Sequence, residues 1–408
     1  MRTNWRTLCV NAILAVYRSL SCGKLTVLAC LLFISLHQVA LANVNTTNEG
    51  GLHISLLTCT PGDEIYSAYG HSAIRLMDSE RGLDVVFNYG TFDFDTPFFV
   101  PKFLCGTLDY MLSASNFSRF LESYRREGRG VEEREVILSS SERREIELFL
   151  FTNLQPENRF YRYDFFFDNC ATRIRDLFFR YGDVDDSKVK IKSEEETFRD
   201  CLHQFVGQNE WWGTGIDLIL GVRADARISE FEKAMLPKYL DLLLANEGLL
   251  REPKMLLERK PAPAPGIGAT FSPRLFSIIM FLAILAVCVF ERRRGVWVRC
   301  VDYTLFSVAS LLALLFWFLW VVSDIKITSY NMNALWASAL YVPILFLMSR
   351  KRHRNAVRLM AKANVVMIVA YAVVVVCGVQ YGSMVGLSAS AALLLRNLAV
   401  LRHLRTES

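Results

Sequence analysis

Metal-binding patterns are missing from this chain. Its 10 cysteines and 6 histidines form no Cys-x-x-Cys and no His-x-x-x-His, and no acidic calcium loop is present, so no metal site and no cofactor are expected. No Leu-x-x-Cys lipobox precedes the small residues near Ala42, which argues against a lipid-modified N-terminus. Aromatic and basic residues never interleave along a polar stretch, and the formal net charge of +5 is mostly carried by short basic clusters between apolar segments, so no nucleic-acid partner is implied. Thiols are scarce in the polar middle of the chain, where only Cys59, Cys105, Cys170 and Cys201 fall. If Cys170 is reactive, at most one disulfide can form and one thiol is left over.

What is present divides the chain by hydropathy. Met1 to Lys24 carries Arg2, Arg6, Arg18 and Lys24 without an acid; Leu25 to Leu36 is a short apolar core, and Ala40-Leu41-Ala42 supplies small residues two apart. Residues 1–42 therefore read as a secretory signal cleaved after Ala42, with an uncleaved anchor as the alternative. Residues 43–260 mix polar and apolar positions and are long enough for one full-sized domain. The proline-rich stretch 261–273 is a stiff linker, and 274–408 is mostly apolar.

Five apolar segments follow the linker: Leu275 to Phe290, Tyr303 to Val322, Ala334 to Met348, Val365 to Val379 and Met384 to Leu395. Arginine-rich clusters follow the first, third and fifth, which puts those ends in the cytoplasm and the first entry on the far side, in agreement with an exported domain. Several segments are short for a hydrocarbon core of about 30 Å, so about five spans are expected with loose boundaries.

Within 43–260, His53 to Cys59, Ser72 to Leu76 and Asp84 to Gly90 read as strands, with a turn at Pro61-Gly62-Asp63. The interval from Phe117 to Leu154 reads as helical, with a capping signal at Ser141-Glu142; Tyr161 to Phe167 reads as extended. Ala171 to Tyr181 places Ile174, Leu177 and Phe178 on one helical face. A small antiparallel sheet packed against helices, an α+β domain, is the expectation. Its two most informative runs are Tyr69-Gly70-His71-Ser72-Ala73-Ile74-Arg75 and Asp168-Asn169-Cys170-Ala171-Thr172. A thiol at a helix start beside an imidazole is a recurring way to activate a cysteine nucleophile, and a covalent acyl-enzyme follows from it.

The run Thr60-Pro61-Gly62-Asp63 through Gly70-His71-Ser72-Ala73-Ile74, followed about a hundred residues later by Asn169-Cys170, resembles the circularly permuted papain-like fold of lecithin-retinol acyltransferase relatives and some NlpC-type peptidases. In that fold histidine precedes cysteine. Tyr89-Gly90-Thr91-Phe92-Asp93-Phe94, Tyr161-Arg162-Tyr163-Asp164-Phe165-Phe166 and Asp168 through Asp176 are similar to the N-terminal periplasmic domain of the Lnb family, over roughly residues 50 to 250. Asn331-Met332-Asn333-Ala334-Leu335-Trp336 resembles an asparagine-rich outer-loop segment of that family, with a following proline displaced to Pro343. The resemblance implies lipoprotein N-acylation at a bacterial inner membrane, with a phospholipid acyl donor, a diacylated lipoprotein acceptor and an all-α membrane domain.

The candidate catalytic residues are His71, Cys170 and Asn88, the last as the group that orients the imidazole or else as a turn asparagine. Gly70 permits close backbone approach, Asp168 is read as the cap of the cysteine helix, and Asn169 supports the same turn. Arg75 and Arg173 are candidates for a phosphate headgroup, or ordinary ion-pair partners. Phe98-Phe99-Val100 and Trp211-Trp212 are candidates for membrane-interface contacts. Two other activities use the same Cys-His pair, a tethered cell-wall peptidase or amidase and a phospholipase, and a non-catalytic scaffold is the third class. A peptidase calls for a polar open cleft, an acyltransferase for an apolar mouth toward the membrane.

Overall fold

The structure, a computed structural model, describes residues 51–182, 187–206, 210–260 and 271–406. The expected signal (1–42) and most of the proline-rich linker lie outside the described residues.

Alternation of apolar residues builds the first strands. β1 (Leu52–Cys59), β2 (His71–Asp78) and β3 (Leu83–Thr91) pair as an antiparallel meander in which Cys59 faces His71 and Ile74 faces Phe87. A short helix α1 (Phe99–Leu104) leads to β4 (Asp109–Asn116), α2 (Phe117–Glu127) and β5 (Val131–Glu135). Next come α3 (Ser140–Asn153), β6 (Phe160–Arg162), α4 (Cys170–Tyr181), β7 (Lys192–Thr197), α5 (Phe198–His203) and α6 (Trp211–Ile219). The domain closes with β8 (Arg227–Ser229), α7 (Glu230–Lys233), α8 (Pro237–Asn246) and β9 (Lys254–Leu257). Seven strands form one antiparallel sheet in the order β6-β4-β3-β2-β1-β5-β9, and β7 with β8 makes a separate ribbon.

The sheet is covered on both faces. Ile54, Leu56, Ile74, Leu76 and Phe87 pack against Ile146 and Leu150 of α3 and against Ile174, Leu177 and Phe178 of α4, the face expected from the sequence. Each of these fully buried side chains contributes about 1.5–3 kcal/mol. Leu57, Ala73 and Val86 point the other way, onto Phe120 and Tyr124 of α2.

Two local expectations are corrected. The interval from Phe117 to Leu154 is not one helix: Gly128 ends α2 in the left-handed region at φ 69°, and Val131–Glu135 becomes a strand along β1 before α3 begins. The cap of α3 is Ser139 rather than Ser141, with Glu142 closing a reciprocal capping box. Among the described cysteines all are free, so no disulfide staples the domain.

The C-terminal part contains α9 (Pro273–Arg294), α10 (Arg299–Val321), α11 (Asn333–Trp336), α12 (Tyr341–Leu347), α13 (Arg354–Val376) and α14 (Met384–Thr406). Four of these, α9, α10, α13 and α14, are long and apolar enough to cross a membrane. The third apolar segment of the sequence is interrupted. Asn333 and Ser338 turn their polar groups inward there, to Trp336 Nε1 and Asn364 Oδ1, and the chain breaks between α11 and α12. Arg354 starts α13 well before the apolar run that revealed it, because Val357 and Ala361 already pack in the bundle.

The domain and the bundle are joined by direct hydrogen bonds. Ser323 Oγ donates to Leu104 O at 2.7 Å, Asp324 N to Cys105 O at 2.9 Å, and Asn331 Nδ2 to Leu218 O at 2.7 Å. Gly221 N reaches Ile327 O at 3.0 Å. The loop after α10 therefore lies on the same side as the sheet domain, as the charge pattern requires.

Candidate active site

Cys170 is the first residue of α4. The preceding Asn169 is extended, and its side-chain oxygen accepts from Thr172 N at 2.9 Å while its own N–H donates to Thr172 Oγ1 at 2.7 Å. Asn169 Nδ2 also donates to Phe165 O at 2.6 Å and Met235 O at 2.8 Å, which fixes the helix start from two directions. The expected cap, Asp168, is corrected: it turns outward and takes both Nε (2.6 Å) and Nη2 (2.8 Å) of Arg173. A side-chain oxygen can cap only if it turns back over the first helical N–H groups, and Asn169 holds that place.

His71 opens β2. Gly70 before it sits at φ +86°, where a Cβ would come within 2.6 Å of Cys59 O, so only glycine lets β1 and the histidine turn approach this closely. His71 Nε2 lies 3.2 Å from Asn88 Oδ1 on β3. Because an amide oxygen only accepts, this bond assigns the proton to Nε2 and leaves the lone pair on Nδ1. Asn88 thus stands where an orienting third residue would.

The thiol meets the histidine strand through the backbone. The N–H of Ser72, the residue after His71, and the N–H groups at the start of α4 act on the Cys170 thiol, and each favours its thiolate. Opposite it, Gly90 at φ +87° leaves room that a Cβ would fill, 3.9 Å from Cys170 Cβ and 3.7 Å from Tyr163 Cε2. Enclosure dominates the electrostatics. It depresses His71 to about 4 against the hydrogen bond that Nε2 donates to Asn88, with the Arg129 charge pushing the same way. Burial also raises the Cys170 thiol above its ordinary range, against those N–H groups and Arg129. The resting pair is therefore neutral thiol and neutral imidazole, not the pre-formed thiolate that a helix start alone would suggest.

A cleft of about 300 Å³ opens beside His71 and Asn88, lined also by Thr91, Ser113, Ser115, Arg119 and Glu127. Gly90 is the point at which it meets the cysteine. Neither expected headgroup arginine is among the lining residues. Arg75 is committed to Asp84 (2.7 and 3.0 Å) and Glu133 (2.8 Å), and Arg173 to Asp168 over the Tyr161 ring. Arg119 is the guanidinium in the cleft.

Sequence reading missed two residues. Arg129, between Gly128 and Gly130, is buried with its Nε on Thr60 O at 2.9 Å and its Nη2 without a hydrogen-bond partner, and its charge reaches both His71 and Cys170. An arginine between two glycines was the available signal. Tyr163 was quoted only as part of an aromatic run, yet it stacks on Tyr110 at 4.1 Å and abuts Gly90.

Two sequence profiles match, the Lnb N-terminal periplasmic domain over residues 42–201 and the Lnb transmembrane domain over residues 266–407. The chain belongs to the Lnb family. Its N-terminal domain is periplasmic and its helical part lies in the inner membrane, among membrane-associated lipoprotein-modifying proteins. The two Lnb matches cover the sheet domain through Cys201 and all four long helices, and both His71 and Cys170 fall inside the first. Neither a curated protein nor a solved structure matches the chain.

Proposed function

We propose that this Lnb-family protein is a lipoprotein N-acyltransferase with a permuted papain-like domain. In this reading Cys170 takes an acyl chain from a phospholipid and passes it to the α-amine of a diacylglyceryl-cysteine. The observation that carries the reading is an aromatic wall from the nucleophile to the membrane side of the domain. Tyr163 stacks on Tyr110, Tyr110 meets Phe92 at 5.1 Å, and Phe92 meets Phe94 at 4.8 Å and Phe99 at 5.8 Å. Phe94 and Phe98 are exposed, and α1, which carries Phe99, ends at the Leu104 and Cys105 carbonyls bonded by the loop after α10. Such a wall suits a hydrocarbon chain leaving the bilayer for a half-buried thiol.

The chemistry is two acyl transfers. Sγ–H gives its proton to His71 Nδ1 as the sulfur attacks the ester carbonyl, and the N–H groups around Cys170, with Arg129, offset the charge that develops. Collapse of the adduct breaks the ester C–O bond, and the leaving alkoxide takes the proton from His71, giving lysophospholipid and a Cys170 thioester. The acceptor amine then attacks the thioester carbonyl, loses a proton to His71 and displaces the sulfur, which is reprotonated. An amide and the free thiol result. Enclosure of the site disfavours water as the competing nucleophile.

One observation favours a second reading, a membrane-tethered peptidase or amidase: the cleft beside His71 is polar, and Ser113, Ser115, Arg119 and Glu127 suit a peptide as well as a headgroup. The experiment that separates the two uses purified full-length protein in phospholipid vesicles. Acyl transfer predicts a hydroxylamine-sensitive acyl group on Cys170 that a lipopeptide with a free α-amine discharges into an amide. Absence of acyl label on Cys170, with cleavage of cell-wall peptides, replaces this reading by the second.

A further inference from the structure

We propose that the helical bundle contains a binding groove, roofed on its periplasmic side, for one acyl chain of a glycerophospholipid. A cavity of about 260 Å³ lies between α9, α10 and α14, walled by Phe276, Ile284, Leu305, Leu312 and Leu393. It exists because Ala309, Ala389 and Ala392 stand where larger side chains would close the bundle. Three hydroxyl residues line it, Ser277, Thr304 and Ser388, and two of them are turned into their own helices, Ser277 Oγ to Arg274 O at 2.9 Å and Thr304 Oγ1 to Cys300 O at 3.0 Å. Ser388 alone is too few polar partners to hold a water, and an apolar cavity of this kind stays dry.

Depth and roof identify the occupant. From Phe276 to Ile284 on α9, and from Val385 to Leu393 on α14, the helix rise gives ~12 Å, close to half of a ~30 Å hydrocarbon core. On α10 the wall runs from Thr304 to Leu312, the half of that helix nearer its cytoplasmic start, so the groove reaches from its periplasmic roof past the middle of the bundle. Leu218 of α6 and Trp336 of α11 close its outer end, and they are tied together through Asn333, which donates to Leu218 O at 3.1 Å and accepts from Trp336 Nε1 at 2.8 Å. The same α6 carries Trp211, 5.4 Å from Phe276, and Trp212, 6.2 Å from Tyr69, two residues before His71. The groove is therefore continuous with the interface between the bundle and the domain bearing the catalytic histidine. A compact phospholipid fits beneath this roof. A lipoprotein would bring polypeptide to the space that α6 and the loop after α10 already fill. The role assigned to this chain, as that of the acyl donor, rests on the acyl-transfer reading; occupancy of the groove does not.

The test uses full-length protein in vesicles of phosphatidylethanolamine and phosphatidylglycerol doped with a phospholipid bearing a photoreactive acyl chain. Crosslinks should map to the α9 and α14 walls, compete with unlabelled phospholipid and persist in Cys170→Ser, which forms no thioester. They should be lost in Ala389→Trp, reduced in the milder Ala389→Leu, and unchanged in Val366→Trp on the exposed face of α13. Uniform labelling of all lipid-facing helices, no labelling at the groove, labelling indifferent to both Ala389 variants, or labelling only by a photoreactive lipopeptide would each overturn the groove. A failed acyl-transfer assay with intact, competed crosslinks would overturn the catalytic reading and leave the groove standing.

Discussion

His71 is tuned by what surrounds it rather than by its own chemistry, and this sets measurable limits. With its folded value near 4 instead of the ordinary 6.5, kcat/KM should hold to well below neutral pH and lose its acid limb near 4. Between those two values the unfolded imidazole binds a proton that the folded one does not. The stability it contributes is complete above 6.5, falls as pH drops through that window and levels off below about 4. Asn88→Asp puts a carboxylate 3.2 Å from Nε2 and should move the acid limb upward, and Arg129→Met should move it the same way by removing a nearby positive charge. A pH–rate profile unmoved by either variant would refute this account of the imidazole. Cys170→Ala and His71→Ala should each abolish acyl transfer in a folded protein, with the double variant little worse than either, because the two act as one unit. Both residues stand out in the sequence, since Gly70-His71 and Asn169-Cys170 are local signatures, and their strand and helix start lie side by side in the fold. Arg129 is marked only by the glycines on either side of it; what its charge reaches is set by the pairing of β5 with β1, and no spacing in the sequence records that register.

At the level of elements, the start of α4 is the most demanding piece of construction. Asn169→Ala removes the cap and leaves the buried carbonyls of Phe165 and Met235 without donors, at a cost of about 2 kcal/mol or more. Thermal unfolding should show that loss, and thioester formation should slow with it because Cys170 is the next residue. Full activity in Asn169→Ala would mean that the helix start is held by something else. The periodicity of α4 was readable because Ile174, Leu177 and Phe178 repeat at helical spacing. β5 was not, since Val131-Glu132-Glu133-Arg134-Glu135 has only one apolar residue and becomes a strand by pairing with β1 and β9 rather than by its own pattern. The break between α11 and α12 was hidden for the opposite reason: an apolar run signals burial, and only the inward hydrogen bonds of Asn333 and Ser338 show that it is not one helix.

Across the whole molecule, the arginine clusters and the docked loop fix one orientation. In a background without other reactive cysteines, Arg293→Cys and Arg352→Cys should be protected from an impermeant thiol reagent in intact cells, and the exposed Tyr330→Cys labelled. Labelling at position 352 would reverse the assignment. The bundle is stapled at its cytoplasmic end by Arg396, fully buried between Glu291 (2.8 and 3.0 Å) and Asp302 (2.7 and 2.9 Å). Arg396→Leu strands two carboxylates and should cost about 3–5 kcal/mol, read as lost resistance to detergent-induced unfolding. The hydrogen bonds from Ser323 and Asp324 to the end of α1 hold the sheet domain at a set height above the helical bundle. An enzyme fastened in this way does not sample the bulk solution for lipid substrates. Its velocity should follow the mole fraction of substrate in the surface it rides on, so diluting vesicles with buffer should leave turnover unchanged and diluting substrate with inert lipid should slow it.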